Sequence, residues 1–402
     1  MEVMSDQHLK LTRRNFFAIS GASALSLPAA ALAAKDTPKV TLLPTPQSGV
    51  QPQAVVDSSN VIHLIYLYGD PAAADIGYVR KAPHDAEFSP PIRVNDQPGS
   101  AIAVGSVRGA RLALGANNVV HVAWNGSAKA TPKGPGGSVP MLYTRLAQDG
   151  RSFEPQRAVM PSLSGVDGGG AVAADSSGNV YVACHAMGRQ NGKPISGEDH
   201  RRVWMARSVD NGKTFEPERP VSPAETGACG CCGMGALADT RGNLYLMYRT
   251  ARAIVHRDMY FLVSRDRGQT FEASDLQPWE IGACPMSTVS LAQSGNQVLL
   301  SWETNKQVYF TRFDTRTGSL AKAAAAPGTG KVRKHPAIAE DDKRQILLCW
   351  TDGTGWKRGG TLEWQMFNGQ SQPQGTIGGG TSVPVWGMPA AVSVHGRFFI
   401  VC

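Results

Sequence analysis

The sequence of 402 residues contains little that would build a long-helical or nucleic-acid-binding protein. Aromatic residues make up 7% of the chain and charged residues 18%. Beyond the first 34 residues, no long stretch has the apolar periodicity of an amphipathic helix. The 40 Lys and Arg residues exceed the 32 Asp and Glu residues, yet they form no basic block. We therefore expect no nucleic-acid partner, and the charge supports only a general attraction to anionic ligands or surfaces.

Cysteine is also scarce: seven are too few for a scaffold built mainly from disulfides, and the count is odd. In contrast, 44 glycines and 26 prolines favour a chain with many turns. The length would allow two domains, but all-β folds often extend this far as one. A single domain is therefore predicted for residues 34–402.

The N-terminus resembles a twin-arginine export signal. Arg13 and Arg14 precede an apolar run from Ala18 to Ala34, which contains the small-x-small cleavage sequence at residues 31–33. The run is short for a membrane span, which needs about 20 residues. The resemblance implies a signal of residues 1–33 and a periplasmic protein that is exported folded, with no membrane span after cleavage. An ordinary secretory signal and an uncleaved anchor are the alternatives.

Short β-rich strings recur along the rest of the chain. Each begins with small turn residues, as in ANNVVHVAWNG near residue 116 and TRGNLYLMYRT near residue 240. A short apolar strand precedes each of the seven strings, and a third strand follows six of them. Repeated antiparallel sheets predict an all-β protein, a β-propeller of four-stranded blades. Seven blades are favoured, because KVTLLPT at 39–45 would supply an outer strand to the last one; six is the alternative.

A second motif agrees with the repeat. SVDNGKTF (208–215) and SRDRGQTF (264–271) share the pattern Ser-x-Asp-x-Gly-x-Thr-Phe, and LAQDGRSF (146–153) is a weaker copy. We expect Asp210 and Asp266 to accept nearby backbone hydrogen bonds in turns between third and fourth strands. The pattern resembles the Asp-box, or bacterial neuraminidase repeat, of the sialidase superfamily. That resemblance implies turns that lie away from the active site.

The chain further resembles an exported bacterial branch of this superfamily, one with a Cys-x-Cys-Cys motif and no settled activity. It lacks the Arg-Ile-Pro motif of true sialidases, and no Glu matches the partner of their Tyr nucleophile. A glycoside hydrolase of exo-sialidase type is therefore the alternative function. Its candidate catalytic residues are Arg249, Arg257, Asp258 and Arg358, and Arg111 could join Arg249 and Arg358 in binding a carboxylate.

The stretch GACGCCGMGALAD at 227–239 places three cysteines just before an innermost strand. In a propeller, the segments that lead into the innermost strands meet at one face, beside the central channel. The loops between second and third strands open at the same face. We therefore expect one site at this mouth, formed by Cys229, Cys231, Cys232, Cys284, His335 and His185.

Thiols and imidazoles in one place suit a soft metal ion, copper or zinc, or redox chemistry on a small ligand. The spacing is not a standard zinc pattern, so the metal stays open. A disulfide from Cys229 or Cys231 to Cys284 is an alternative, within a non-catalytic scaffold that binds carbohydrate or a partner. A tight core of small residues is another. On the same face, Trp356 joins the arginines as a candidate to bind a small-molecule or glycan ligand.

Overall fold

The computed structural model of the protein describes residues 40–105 and 107–402. The predicted export signal lies outside these residues. Within the described ranges, no helix has the length and apolar character needed to cross a membrane. The helical segments found there are single 3-10 turns: Pro46–Ser48, Ala116–Asn118, Pro135–Gly137 and Ala224–Thr226.

Strands joined by tight turns make up the rest of the ordered structure. In chain order they are β1 Val40–Leu43, β2 Val50–Val56, β3 Ile62–Asp70, β4 Ala73–Lys81, β5 Ile92–Arg93, β6 Arg111–Leu114, β7 Val120–Asn125, β8 Met141–Arg145, β9 Arg157–Ala158, β10 Asp167–Ala174, β11 Val180–Ala186, β12 Gly188–Gln190, β13 Lys193–Ile195, β14 Arg202–Ser208, β15 Arg219–Pro220, β16 Gly235–Ala238, β17 Leu244–Arg249, β18 Met259–Ser264, β19 Glu272–Gln277, β20 Val289–Ser294, β21 Gln297–Thr304, β22 Gln307–Asp314, β23 Ala324–Ala325, β24 Arg333–Glu340, β25 Ile346–Asp352, β26 Gly360–Phe367, β27 Pro373–Val383, β28 Ala390–Val394 and β29 Arg397–Val401.

These strands form the seven blades of a β-propeller. Blades 1 to 6 are antiparallel and four-stranded, with the orders β2-β3-β4-β5, β6-β7-β8-β9, β10-β11-β14-β15, β16-β17-β18-β19, β20-β21-β22-β23 and β24-β25-β26-β27. The first strand of each blade is innermost, and these strands contact one another around a closed ring. The all-β propeller predicted from the repeats is confirmed, and so is the count of seven.

The seventh blade closes the ring with both ends of the chain. Its order is β1-β29-β28, so it has three strands. β28 and β29 are antiparallel, whereas β1 runs parallel to β29, with Val40 opposite Phe398 and Leu43 opposite Val401. The N-terminal string therefore adds an outer strand, as the sequence predicts.

The hydrophobic core lies between neighbouring blades. Second strands are buried on both faces; all seven residues of β11 and all six of β7 are buried. Trp124 of β7, for example, packs with Leu142 of β8 and with Ile76 of the preceding blade. Burying a Val, Leu or Ile side chain contributes about 1.5–3 kcal/mol, so the blade-to-blade contacts supply much of the stabilisation.

The aspartates of the repeated motif close equivalent turns between third and fourth strands. Asp210 accepts hydrogen bonds from the Thr214 amide at 2.9 Å and its hydroxyl at 2.6 Å. Asp266 bonds Thr270 in the same way, at 2.9 and 2.5 Å. These turns follow the ends of third strands, so they lie on the face opposite the loops between second and third strands.

The innermost strands enclose a central channel with a cavity of about 420 Å³. Most of its wall is made of Ala, Val and Leu from the seven blades. We call the end at which the innermost strands begin the upper mouth. The cysteine segment leads into β16 at this mouth, as the sequence predicts.

Candidate functional site

Three cysteines form a compact group at the upper mouth. The Sγ atom of Cys229 lies 3.2 Å from that of Cys231 and 3.4 Å from that of Cys232. The three sulfurs all lie within 4.8 Å of one another. Cys229 and Cys232 are fully buried, whereas Cys231 is half-buried. All seven cysteines of the chain are free thiols, so no disulfide joins Cys284 to the group.

The backbone holds the cysteine loop against three blades. The amide of Cys229 donates to Arg249 O at 2.8 Å, at the end of β17 in the same blade. The Gly233 amide donates to Ser287 O of blade 5 at 2.9 Å, and the Gly169 amide of blade 3 donates to Cys232 O at 3.2 Å. The loop is therefore fixed from both sides, and its sulfurs are held together.

Arg249 supports the group from below. Its Nε donates to Ser287 Oγ at 2.9 Å, and the Ser287 hydroxyl lies 3.5 Å from Cys232 Sγ, to which it donates. Nη1 donates to Arg257 O at 2.5 Å, and Nη2 donates to Glu303 O. The guanidinium is fully buried, and its donors are taken up by protein acceptors.

Arg257 flanks the group from the adjacent loop. Its Nη2 pairs with Glu198 at 2.6 Å. Its Nε and Nη1 are buried and have no hydrogen-bond partner among the described residues. Burial disfavours its charge, but the neighbouring Cys229 and Glu198 outweigh this and raise the pKa of Arg257. Arg257 therefore keeps two buried donors that no described residue accepts.

The three thiols have different surroundings, which shift their pKa values in different directions. Burial opposes ionisation of Cys232, but hydrogen bonds from Cys229 and Cys231, the charge of Arg249 and the Ser287 hydroxyl hold its pKa well below the usual range. The pKa of Cys231 is raised by its hydrogen bonds to the other two cysteines and by burial. One thiolate shared by two thiols is thus the favoured form.

The other predicted ligands lie outside this group. Cys284 is exposed, and it is Ser287, three residues further along the same segment, that contacts Cys232. His335 is buried, and its Nδ1 lies 3.2 Å from Thr288 Oγ1. Lead-in segments of neighbouring blades do meet at the mouth, but it is Ser287, not Cys284, that reaches the cysteine group.

His185 lies behind the cysteine loop. Its side chain is fully buried, and neither ring nitrogen has a partner among the described residues. A Cβ added at Gly168 would meet its Nδ1 at 2.8 Å and Cys232 O at 2.6 Å, so the imidazole faces the backbone of the loop. Burial lowers the pKa of His185 to about 4, which leaves the ring neutral.

The candidate catalytic and ligand-binding residues are dispersed over the mouth. Asp258 accepts a hydrogen bond from the Trp279 amide at 2.9 Å and pairs with Arg252. Arg358 is exposed on the loop after β25. Arg111 is buried at the start of β6. With Arg249 enclosed, the structure does not bring the three arginines together as one pocket.

Trp356 extends across the mouth from blade 6. It is 45% exposed, and its ring lies against Gly105 on the segment before β6, where an added Cβ would come within 2.8 Å of it. The Trp356 carbonyl accepts a hydrogen bond from Trp386 Nε1 at 2.8 Å. An open aromatic face is therefore available near the channel.

Two residues beside the thiols were not expected from the sequence. Ser287 is the direct contact of Cys232, and Glu303 is a buried carboxyl near Arg249. Burial raises the pKa of Glu303, and Lys334 lies 3.8 Å away. Ser287 lies in a lead-in segment, and that position could have indicated that it reaches the mouth. Glu303 lies inside a strand, and nothing in the sequence indicates that it lies near the thiols.

Comparison with solved structures identifies the fold. A crystal structure of a protein of unknown function from Dyadobacter fermentans has a TM-score of 0.52 and 15% identity, covering 76% of this chain and 91% of its own. An α-L-arabinofuranosidase from Fusarium graminearum has a TM-score of 0.50 and 8% identity, covering 80% of this chain and 93% of its own. The Hadza microbial sialidase Hz136 has a TM-score of 0.48 and 14% identity, covering 82% of this chain and 73% of its own.

Other similar structures are sialidases, each with a TM-score below 0.5. No family model and no curated protein matches the chain. At these low identities, the likeness of the chain to these structures concerns its fold alone.

Proposed function

We propose that this sialidase-like propeller is an exported protein that binds a soft metal ion, copper(I) or zinc, through Cys229, Cys231 and Cys232. The observation that carries the proposal is the approach of three sulfurs within 4.8 Å of one another in a fixed loop. A single buried thiol can simply pack as a small apolar group. Three thiols within one loop are instead a ligand set that soft metals prefer.

The dimensions and charges of the site fit such an ion. Zn–S bonds of about 2.3 Å in a tetrahedral site separate the sulfurs by about 3.8 Å, close to the spacing here. Metal binding requires deprotonated thiols, and Arg249 and Arg257 flank the group with positive charge. The two unpaired donors of Arg257 would then find thiolate acceptors. When bound, the ion would act as a Lewis acid or as an electron carrier, according to its identity.

Redox chemistry of the thiols is the second candidate, and the acidity of Cys232 favours it. A buried thiolate 3.4 Å from a neighbouring thiol is the arrangement of a dithiol that exchanges with disulfides. The half-buried Cys231 would be the thiol that a small ligand reaches first.

The open face of Trp356 supports a small glycan as the ligand of the mouth. Exo-sialidase activity is the less favoured alternative, because the donors of Arg249 are already occupied.

Elemental analysis of the folded, purified protein, beside a count of reactive thiols, tests the proposal. We expect about one equivalent of copper or zinc in the folded protein, and all seven thiols free once the protein is unfolded and the metal removed. Cys232→Ser should lower the metal content sharply. Cys349→Ser is the matched control, since Cys349 is equally buried but packs in the core between blades 6 and 7.

Cys284→Ser tests the wider set of ligands predicted from the sequence. If the three-cysteine group suffices, this variant keeps its metal. A protein without metal that has lost two hydrogens by mass would support the redox candidate. A metal-free protein that shows all seven thiols free after unfolding, and no oxidation of the group by added disulfide, would contradict both.

A further inference from the structure

Arg111 is a buried cation at the upper mouth of the channel. It is the first residue of β6, its side chain lines the cavity, and the residue is 8% exposed. Its Nη2 would lie 3.3 Å from a Cβ added at Gly233, in the loop above. The guanidinium therefore sits inside the ring, between the channel and the cysteine loop.

The other buried arginines each have at least one acceptor or carboxylate partner. Arg333 donates to Ala326 O at 3.0 Å and Pro327 O at 2.9 Å, and it stacks on Trp350. Arg249 donates to backbone carbonyls, and Arg257 pairs with Glu198. Among the described residues, Arg111 has neither a hydrogen-bond acceptor nor a carboxylate partner for its side chain.

The side chain of Arg111 opens into a mostly apolar channel, where a charge is costly unless it is hydrated or paired. Burial lowers the pKa of Arg111 to about 10, which still leaves the group charged at neutral pH. The donors of an Arg form a planar fork that suits two oxygens of a carboxylate or phosphate. An anion from solution would supply the missing acceptors.

The polar groups around the cavity also favour an anion at this end. Gln53 and Thr288 line the channel with Arg111, and Thr288 contacts the neutral His335. Glu340, at the last position of β24, is enclosed and pairs with Arg344 at 3.4 Å, so it leaves no free negative charge at the far end. The favourable interaction for an anion is therefore that with Arg111 at the upper mouth.

We propose that Arg111 binds a small oxyanion, a carboxylate or a phosphate, at the upper end of the channel. The site is separate from the cysteine group and needs no metal. It offers one guanidinium fork, with the Thr288 hydroxyl and the Gln53 amide as further polar neighbours.

Thermal unfolding and calorimetric titration of metal-free protein test this, at constant ionic strength with chloride as the reference anion. The probes are inorganic phosphate, acetate and glucuronate, which distinguish a free phosphate, a simple carboxylate and an acidic sugar. We expect at least one to bind saturably and to raise the melting temperature. Arg111→Met should weaken that binding about tenfold or more, and Arg111→Lys should retain part of it. Arg316→Met, which removes an exposed arginine in the turn after β22 on the opposite face, should leave it unchanged.

A second measurement separates binding from a structural role. Without added anion, Arg111→Met should melt at the wild-type temperature or above, because it removes an uncompensated buried charge. The proposal is overturned if none of the three anions binds the wild type, or if Arg111→Met binds them as well as the wild type does. It is also overturned if Arg111→Met melts below the wild type in chloride alone. Retention of anion binding by Cys232→Ser would confirm that the site stands apart from the cysteines.

Discussion

The Sγ atoms of Cys229 and Cys232 lie 3.4 Å apart, yet their surroundings shift their pKa values in opposite directions. A hydrogen bond with Cys231 favours ionisation of Cys229, but its hydrogen bond to Cys232 and its burial outweigh this and raise its pKa. Cys232 accepts the hydrogen bonds and lies near Arg249, so its pKa is lowered despite burial. These opposite directions make Cys232 the thiol of the group that ionises first.

Ultraviolet titration of the metal-free protein should detect the Cys232 thiolate. We expect thiolate absorbance to persist well below pH 9.0, the ordinary value, and to disappear in Cys232→Ser. Ser287→Ala removes one hydrogen bond to the sulfur and should move the transition upward. Because the folded-state pKa is lowered, this group stabilises the fold fully above pH 9.0, and the contribution is lost as pH falls through the lowered value. Identical titrations of the wild type and Cys232→Ser below pH 9.0 would refute the assignment.

Asp210→Ala should destabilise the protein by about 1–2 kcal/mol at neutral pH, because the turn loses several hydrogen bonds. The bonds to Thr214 and Ser208 lower the pKa of Asp210 to about 2 despite the opposing effect of burial. The carboxylate therefore stabilises the fold above pH 3.8, and this is lost as pH falls toward 2. Denaturant unfolding at several pH values should show the gap between variant and wild type closing over that range. Metal content should not change, since the turn lies on the opposite face.

Removal of β1 should open the ring. A chain that begins at Pro46 loses the strand that pairs with β29 and leaves that strand with a free edge. We expect a lower melting temperature and association of molecules during size-exclusion chromatography. A chain that begins at Pro38 keeps the strand and serves as the control. Equal melting temperatures of the two chains would show that β1 contributes little to closure.

A fluorogenic sialoside should be hydrolysed poorly or not at all. The chain lacks the Arg-Ile-Pro motif, and Arg249 already donates hydrogen bonds to Ser287 and to backbone carbonyls. The assay needs a known sialidase in parallel to establish its sensitivity. Robust turnover that disappears in Arg358→Met would promote the glycosidase alternative over metal binding.

Much of the fold could be predicted because each blade is encoded locally. A tight turn such as that before Val180 and a run of alternating or continuous apolar residues predict a strand pair without reference to the rest of the chain. The same is true of the turns closed by Asp210 and Asp266, whose hydrogen bonds reach at most four residues. The sequence also predicted that Cys229, Cys231 and Cys232 lie at the channel mouth, since their segment precedes an innermost strand.

The remaining features depend on contacts between residues far apart in the chain. That Ser287 and not Cys284 meets Cys232 depends on how two lead-in segments turn against each other. The surroundings of the arginines depend on which carbonyls and carboxylates the neighbouring blades present. Arg249 is enclosed by such acceptors, whereas Arg111 is buried without an acceptor among the described residues. Local sequence by itself determined the strands, the turns and the face on which the cysteines lie, because those rest on short-range hydrogen bonding and apolar pattern. Only the tertiary structure decided the distances, partners and charges of the site, because each is set by side chains that ring closure brings together.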